Sequence, residues 1–420
     1  MNVLWITNVI LPEAQALLSG NGTLNASGGW MLGAAENLVS QPGIHLTIAT
    51  VSRRVRKLCR LEGEKITYYI LPSGLKGNHR INHSLEPYWK QVKDKVKPDV
   101  IHLHGTEFTH GLAYLEACGA EHVCVSIQGL VSAYNYYYYG LTQKEIRSSF
   151  TLRSLLRGGI ISGYKDFRYR AKTEIEILSR VNHIIGRTQW DRQRTWAINP
   201  DATYHYGGET LRKDFYSGKI WVYNECKPHS IFLSQAGYPI KGLHMLLKAM
   251  PLILRHYPDA TVRVAGTDII RRNNFIDCMS LSNYGNLIRR YLKKYNLCGV
   301  VSFTGPLSGD GMRNEYLHCN VFVCPSSIEN SPNSIGEAQL LGVPVVASYV
   351  GGVMDMMQGN EDNMYRFEEV EMMAYKICHI FEQRDTVNTS LMRELALKRH
   401  DPKRNVENLI KIYHAVSKAL

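Results

Sequence analysis

The chain has 420 residues, 45% of them apolar, and a formal net charge of +12. That length exceeds what one ordinary hydrophobic core serves, so two domains of similar size are expected. Nine scattered cysteines without a Cys-x-x-Cys pair argue against a disulfide framework or a zinc site. The positive surplus calls for an anionic partner but does not choose among phosphate, nucleic acid and lipid headgroup.

The opening Met-Asn-Val-Leu-Trp-Ile-Thr-Asn shows no basic leader or cleavage site, and no apolar run reaches transmembrane length. The expectation is a cytoplasmic protein, soluble or peripheral on the inner face of the cell membrane. Short β-rich apolar runs alternate with longer amphipathic ones, the pattern of parallel sheets covered by helices. In the first half the strand-like runs are residues 3–7, 45–51, 66–71, 100–104, 123–127 and 183–186. Past the first run lies Asn25-Ala26-Ser27-Gly28-Gly29-Trp30, then a helical stretch over 30–38. Gly28 and Gly29 permit close backbone approach to a ligand; the plainer alternative is a loop before a helix. A dinucleotide fingerprint is excluded, because Gly20-Asn21-Gly22 is followed by Asn25 where a third glycine is needed.

Run 100–104 ends Ile101-His102-Leu103-His104-Gly105, and strand alternation puts both histidines on one face. Packing or hydrogen bonding accounts for at least one of them, and no further metal ligands accompany them. Run 123–127 leads to Gln128, which hydrogen-bonds but cannot act as acid or base. Run 183–186 leads to Arg187-Thr188, either a cation for phosphate or acceptor or simply a helix start. Residues 198–228 hold Asn199-Pro200, Gly207-Gly208 and Lys227-Pro228 with little periodicity, which places the linker there. The expected division is 1–205 and 206–402, with a last helix over 403–420 packing back on the first domain.

In the second half the runs are 230–234, 261–265, 300–303, 321–324 and 343–347. Two doubly wound Rossmann-like domains, facing across a cleft, would place ligands at the carboxyl ends of their strands. After run 321–324 comes Pro325-Ser-Ser-Ile-Glu329-Asn330-Ser-Pro-Asn333, then a helix over 334–341 closed by Gly342. The N–H groups and dipole at such a helix start favour an anion, so a diphosphate can rest there without a metal. Glu329 in the loop and Glu337 in the first turn are suited to accept from sugar and ribose hydroxyls. Ser334-Ile-Gly-Glu337 also fits a capping box, which would make Glu337 a cap alone, and Glu329 alone reads equally as an exposed loop acid.

Pro325-Ser-Ser-Ile-Glu329 through Glu337-Ala-Gln-Leu-Leu-Gly-Val-Pro-Val-Val-Ala-Ser-Tyr-Val-Gly-Gly352 resembles the Glu-x7-Glu region of family 4 retaining glycosyltransferases, the glycosyltransferase group 1 with the GT-B fold. Tyr238-Pro-Ile-Lys241-Gly242 resembles that family's Lys-Gly motif, Thr304-Gly305 follows a strand as it does there, and the elements keep family order along nearly the whole chain. The resemblance implies that Lys241 contacts the donor diphosphate, Glu329 the transferred sugar and Glu337 the nucleotide ribose. It further implies that Gly28-Gly29 closes over diphosphate and acceptor, that His104 belongs to a His-x-His-Gly motif, and that Gln128 replaces a histidine near the sugar. Two departures stand out. No arginine precedes Lys241 in Ser234-Gln-Ala-Gly237, and Asn330-Ser-Pro-Asn333 replaces a glycine-rich turn, with Asn330, Asn333 and Ser334 left to supply donors.

Arg53, Arg54, Arg56, Lys57 and Arg60 form one basic cluster, and over residues 134–172 Tyr134, Tyr136, Tyr137, Tyr138, Tyr139, Phe150, Phe167 and Tyr169 interleave with arginines and lysines. Such stretches are usually solvated faces; they also suit single-stranded nucleic acid or an anionic membrane, and the membrane is preferred here because both clusters fall in the acceptor half. The expectation is a retaining, metal-independent hexosyltransferase without a cofactor. It would move sugar from a nucleotide diphosphate to a hydroxyl of a glycan or polyprenyl-linked glycan in cell-surface polysaccharide synthesis, with no nucleic-acid partner. The alternatives are a nucleotide-sugar epimerase on the same fold and a non-enzymatic nucleic-acid or membrane binder.

Overall fold

In a computed structural model of the chain, which describes residues 1–19, 29–73, 82–138, 140–272 and 274–418, two compact units are present. The first comprises Met1–Ala133, Asp166–Arg212 and His400–Leu420; the second comprises Tyr134–Lys165 and Lys213–Arg399. The division thus differs from a single boundary at 205/206. Residues 134–165 go with the second unit, because their polar groups are taken there: His244 Nε2 meets Gly140 O at 2.7 Å, Ser327 Oγ donates to Tyr137 O at 2.9 Å, and Lys248 pairs with Glu145 at 2.8 Å.

The first unit is an eight-stranded sheet of β1 (Asn2–Ile6), β2 (His45–Ser52), β3 (Cys59–Glu62), β4 (Thr67–Pro72), β5 (Val100–His104), β6 (Val123–Ser126), β7 (His183–Gly186) and β8 (Thr203–Tyr206). Its order is β3-β4-β2-β1-β5-β6-β7-β8, parallel except for the antiparallel edge strand β3. The central strands are buried along their whole length, as fully covered parallel strands must be, and so read as continuous apolar runs. The edge strands β3 and β8 are half exposed and polar, which is why apolar runs do not reveal them. β8 lies in the stretch expected to be linker; Thr203–Tyr206 pairs in register with His183–Gly186 and extends the sheet instead.

The second unit is a six-stranded, wholly parallel sheet of β9 (Ser230–Leu233), β10 (Thr261–Val264), β11 (Val301–Phe303), β12 (Val321–Cys324), β13 (Val345–Ser348) and β14 (Met364–Tyr365), in the order β11-β10-β9-β12-β13-β14. Phe232, Tyr316 and Phe322 pack edge to face beneath it. Both units are therefore doubly wound α/β structures, as the alternating pattern requires. No helix among the described residues is long and apolar enough to cross a membrane.

The last helix, Pro402–Lys418, contributes Val406, Ile412, Tyr413 and Val416 to the core of the first unit, beside Trp5, Met31 and Leu38. Tyr413 ties it to the sheet. Trp5 Nε1 donates to Tyr413 Oη at 2.8 Å, and the same hydroxyl lies 2.7 Å from His102 Nδ1. Tyr413→Phe leaves the Trp5 N–H without an acceptor inside the core, so unfolding in urea should show a loss of about 1–3 kcal/mol; a midpoint equal to wild type would mean that the hydroxyl holds nothing.

Candidate active site

In the second unit the side chains singled out in the sequence converge at strand ends. β9 is followed by a single 3-10 turn, Pro239–Lys241, that ends at Gly242; β12 is followed by the loop carrying Glu329. Gly242 has φ +72°, and a Cβ there would lie 1.6 Å from Pro325 O, so only glycine lets the two loops touch. Ser327 N donates to Ile240 O at 2.8 Å and completes the join. A second close approach fixes the other side of the Glu329 loop: Gly351, at φ +52°, would carry a Cβ 2.0 Å from Glu329 O, which accepts from Gly352 N at 3.0 Å.

The result is an ion pair. Lys241 Nζ lies 2.6 Å from Glu329 Oε1, which also accepts from Ser326 Oγ at 2.8 Å; the side chains are 13% and 9% exposed. Glu329 is thus no exposed loop acid, and Lys241 is no solvated lysine. Burial alone would pull the Lys241 ammonium down, but the adjoining Glu329 carboxylate, with Tyr238, outweighs it and holds the lysine above its ordinary value.

The helix after the loop spans Asn333–Leu341, so Asn333 and Ser334 occupy its first turn and Glu337, buried, its second. Its N-cap is Pro332, which makes no side-chain cap. The capping-box alternative therefore fails: Ser334 is already helical, two positions past the N-cap from which its hydroxyl could reach back. The first N–H groups of this helix have no intrahelical acceptor and face the loop side, the arrangement that receives anions. Asn330 is fully buried rather than presented as a surface donor. The stretch 325–330 is buried throughout, so ligand contacts here come from few atoms in fixed places.

In the first unit, His104, Gln128 and Arg187 come together at the carboxyl ends of β5, β6 and β7. His102 and His104 share a face and stack at 3.9 Å, with Trp5 against His104 at 4.3 Å. Their environments differ. His102 is hydrogen-bonded by Tyr413 and Ser126, and burial lowers it to about 3; His104 has neither ring nitrogen bonded, and burial, then the neighbouring His102 and Arg187, hold it well below its ordinary value. Arg187 Nη1 pairs with Glu209 at 2.5 Å, and its Nη2 donates to Gln128 Oε1 at 3.2 Å. The Gln189–Ile198 helix is capped by Thr188, not by Arg187. Gly29 opens the Gly29–Val39 helix; Gly28 lies outside the described residues. Sequence reasoning missed Glu209, which follows Gly207-Gly208 in the presumed linker, and Ser326, one of two adjacent serines.

It also missed Glu174, which binds Thr106 Oγ1 at 2.6 Å and the first N–H groups of the Val131–Tyr137 helix, at Val131 and Ser132, at 3.1 and 2.8 Å. It fixes the turn after Gln128. Burial raises its carboxyl, partly opposed by hydrogen bonds from Ser132 and Thr106, to about 7. Among the described residues, the side chains grouped closely enough to hold a metal are His83, Glu86 and Glu116, none of which belongs to either cluster.

Because the folded-state value of Glu174 lies above the ordinary 4.5, its protonated form contributes stability that is full below about 4.5 and is lost as pH rises through about 7. Melting temperatures taken across that window should fall for the wild type, and the slope should flatten in Glu174→Gln; equal slopes would show that this carboxyl does not titrate there.

Residues 227–383 match the family model described as glycosyl transferases group 1. Over 88 residues the chain is 33% identical to the sulfoquinovosyl transferase SQD2 of Arabidopsis thaliana, a match covering 20% of this chain and 17% of that protein. Matches to the curated relatives span 17% to 45% of their length. Among solved structures, sucrose-phosphate synthase from Thermosynechococcus elongatus aligns with TM-score 0.65 at 16% identity, over 99% of this chain and 97% of that one. Anabaena HepE, solved in complex with UDP-glucose, aligns with TM-score 0.62 at 13% identity, over 97% and 99%. At these identities the solved structures speak for the fold, and the family model for the segment that carries Lys241, Glu329 and Glu337: residues 227–383 are a domain of the glycosyl transferases group 1 family, in a chain with the GT-B class of α/β fold.

Proposed function

We propose that the protein is a retaining, metal-independent glycosyltransferase that takes a sugar from a nucleotide diphosphate and places it on a hydroxyl of a glycan or lipid-linked glycan. The buried Lys241–Glu329 pair beside the uncapped start of the Asn333–Leu341 helix carries this reading. A diphosphate at that helix start would draw the Lys241 ammonium from Glu329, freeing the carboxylate to accept from sugar hydroxyls. In this reading Glu337, buried one helical turn along, accepts from the ribose hydroxyls. Solved relatives of the fold that hold UDP-glucose support a nucleotide-sugar donor.

As the sugar leaves, charge grows on the distal phosphate, and a fixed cation there is of the kind whose removal costs about 2.7–4 kcal/mol of barrier. The departing diphosphate can itself accept the proton of the acceptor hydroxyl on the same face. No pair of catalytic carboxylates is then required, consistent with a glutamine at position 128. Gly28, Gly29, His104, Gln128 and Arg187 are assigned to the acceptor side, and Asn330, Asn333 and Ser334 to the surroundings of the donor. The protein works in the cytoplasm, in cell-surface polysaccharide synthesis.

Breaking one member of a buried ion pair costs about 3–5 kcal/mol because the other is stranded. Lys241→Ala and Glu329→Ala should therefore each lower both stability and transfer, the latter by 10²–10³-fold on the order of a lost oxyanion donor. The double variant should regain much of the stability and none of the transfer. Transfer that returns with stability would make the pair structural only. Incubation with donor alone separates the epimerase alternative, which would convert the sugar without an acceptor.

The membrane is the favoured surface partner. In the second unit, Phe150, Leu152 and Leu156 are exposed, Leu156 at 72%, beside exposed Lys144 and Arg147; in the first, Arg53, Arg54, Arg56, Lys57 and Arg60 are all exposed. Each cation near an anionic surface contributes about 1 kcal/mol. Vesicles containing anionic lipid should sediment the protein at low salt and release it as salt rises; no cosedimentation at either salt would remove the membrane from the reading.

A further inference from the structure

The first unit contains a cavity of about 80 Å³ between the sheet and the Gly29–Val39 and Pro402–Lys418 helices. Since roughly 10–15 Å³ of such space admits one water, it has room for several waters, the displacement of a single sugar ring. Its walls have two characters. Trp5, Ala34, Ile185, Val406 and Leu409 form apolar surface. Against them stand His104, Gln128, Asn37 and Glu209.

The polar groups are under-used by the protein itself. His104 is buried with both ring nitrogens unbonded, one a donor and the other an acceptor in the neutral ring. Gln128 lines the cavity and accepts from Arg187 on Oε1, which uses its acceptor within the wall. Glu209 Oε1 has no donor. Leaving such groups dry is costly, so a site of this kind is built to be completed by hydrogen-bonding partners. The charges are closed within the wall: the Arg187 guanidinium is 2.5 Å from the Glu209 carboxylate, and the side chains are 13% and 9% exposed. A phosphate would have to displace Glu209 and then lie beside it. A pyranose, with an apolar C–H face and a hydroxyl rim, needs neither.

We propose that this cavity is a binding subsite for an uncharged, hydroxyl-bearing sugar ring of the acceptor, seated on the Trp5 side and held by His104, Gln128, Asn37 and Glu209. The proposal rests on the glycosyltransferase reading for the word acceptor. It reverses the role open to Arg187 from the sequence, since the arginine acts as the partner of Glu209 and Gln128 and does not neutralise phosphate.

The test is a titration of the full chain with methyl glucoside, methyl galactoside and methyl mannoside, and in parallel with glucose 6-phosphate and UDP, followed by saturation-transfer NMR. At least one neutral pyranoside should bind saturably, and glucose 6-phosphate no more tightly. Ala34→Leu, which fills the cavity without removing a polar group, and Asn37→Ala, which removes one without adding bulk, should each weaken that binding at least tenfold with UDP affinity unchanged. Absence of pyranoside binding, tighter binding of the sugar phosphate, or wild-type binding in both variants would overturn the subsite. Pyranoside binding without UDP binding would uphold the subsite and defeat the donor reading instead.

Discussion

The contact of two loop backbones at Gly242 and Pro325 is the constraint on which the proposed donor site depends. Nothing larger than hydrogen fits between them, since a Cβ would come within 1.6 Å of a carbonyl oxygen. That contact sets Lys241 against Glu329, residues 88 positions apart in the chain, at 2.6 Å. A lysine and a glutamate drawn together out of water lose hydration that their attraction only partly returns. We therefore propose that the pair is held ready for a ligand, each group satisfied by the other, and is not a source of stability. A phosphate arriving at the lysine would replace one anion by another, and the Glu329 carboxylate would then depend on Ser326 and on hydroxyls of the ligand for its hydrogen bonds.

The first unit solves a different problem. Its sheet brings two histidines to one face at the end of β5, and a C-terminal helix must cover them. Tyr413 does so by serving Trp5 and His102 at once, which fixes His102 in a neutral, fully bonded state. His104, two residues on and stacked at 3.9 Å, receives no such partner. Strand alternation made the two equivalent; the covering helix makes one structural and leaves the other with hydrogen-bonding capacity directed at the cavity.

What could be read from the residues follows the same physics. Buried parallel strands announce themselves as short apolar runs, so the central strands of both sheets were legible, as was the loop after Cys324, where a run of turn residues interrupts them. The edge strands of the first sheet were not, because Cys59–Glu62 and Thr203–Tyr206 are half exposed and need no apolar pattern. The spacing Ser334 to Glu337 fits a capping box, yet Pro332 is the N-cap, and two residues of register decide between a cap and a buried carboxylate. Residues 134–165 fall between segments of the first unit yet pack with the second, through backbone oxygens such as Gly140 O and Tyr137 O that carry no sequence signature. Arg187 was visible as a cation; that Glu209 closes its charge was not, since the partner comes from a glycine-rich stretch 22 residues on.

Those pairings change what the net charge means. A surplus of +12 invites the inference that ligand sites are strongly positive. In both candidate clusters the cation is instead matched by a buried glutamate at hydrogen-bonding distance, Lys241 by Glu329 and Arg187 by Glu209. Exposed cations such as Arg53, Arg54, Arg56 and Lys57 shape the long-range field and surface partners more than any bound substrate. Inside, selectivity comes from exchange. At Lys241 we propose that an incoming anion takes over the lysine, with the start of the Asn333–Leu341 helix to help hold negative charge; at Arg187 the guanidinium is already shared between Glu209 and Gln128, and the neighbouring groups are left for a neutral ligand.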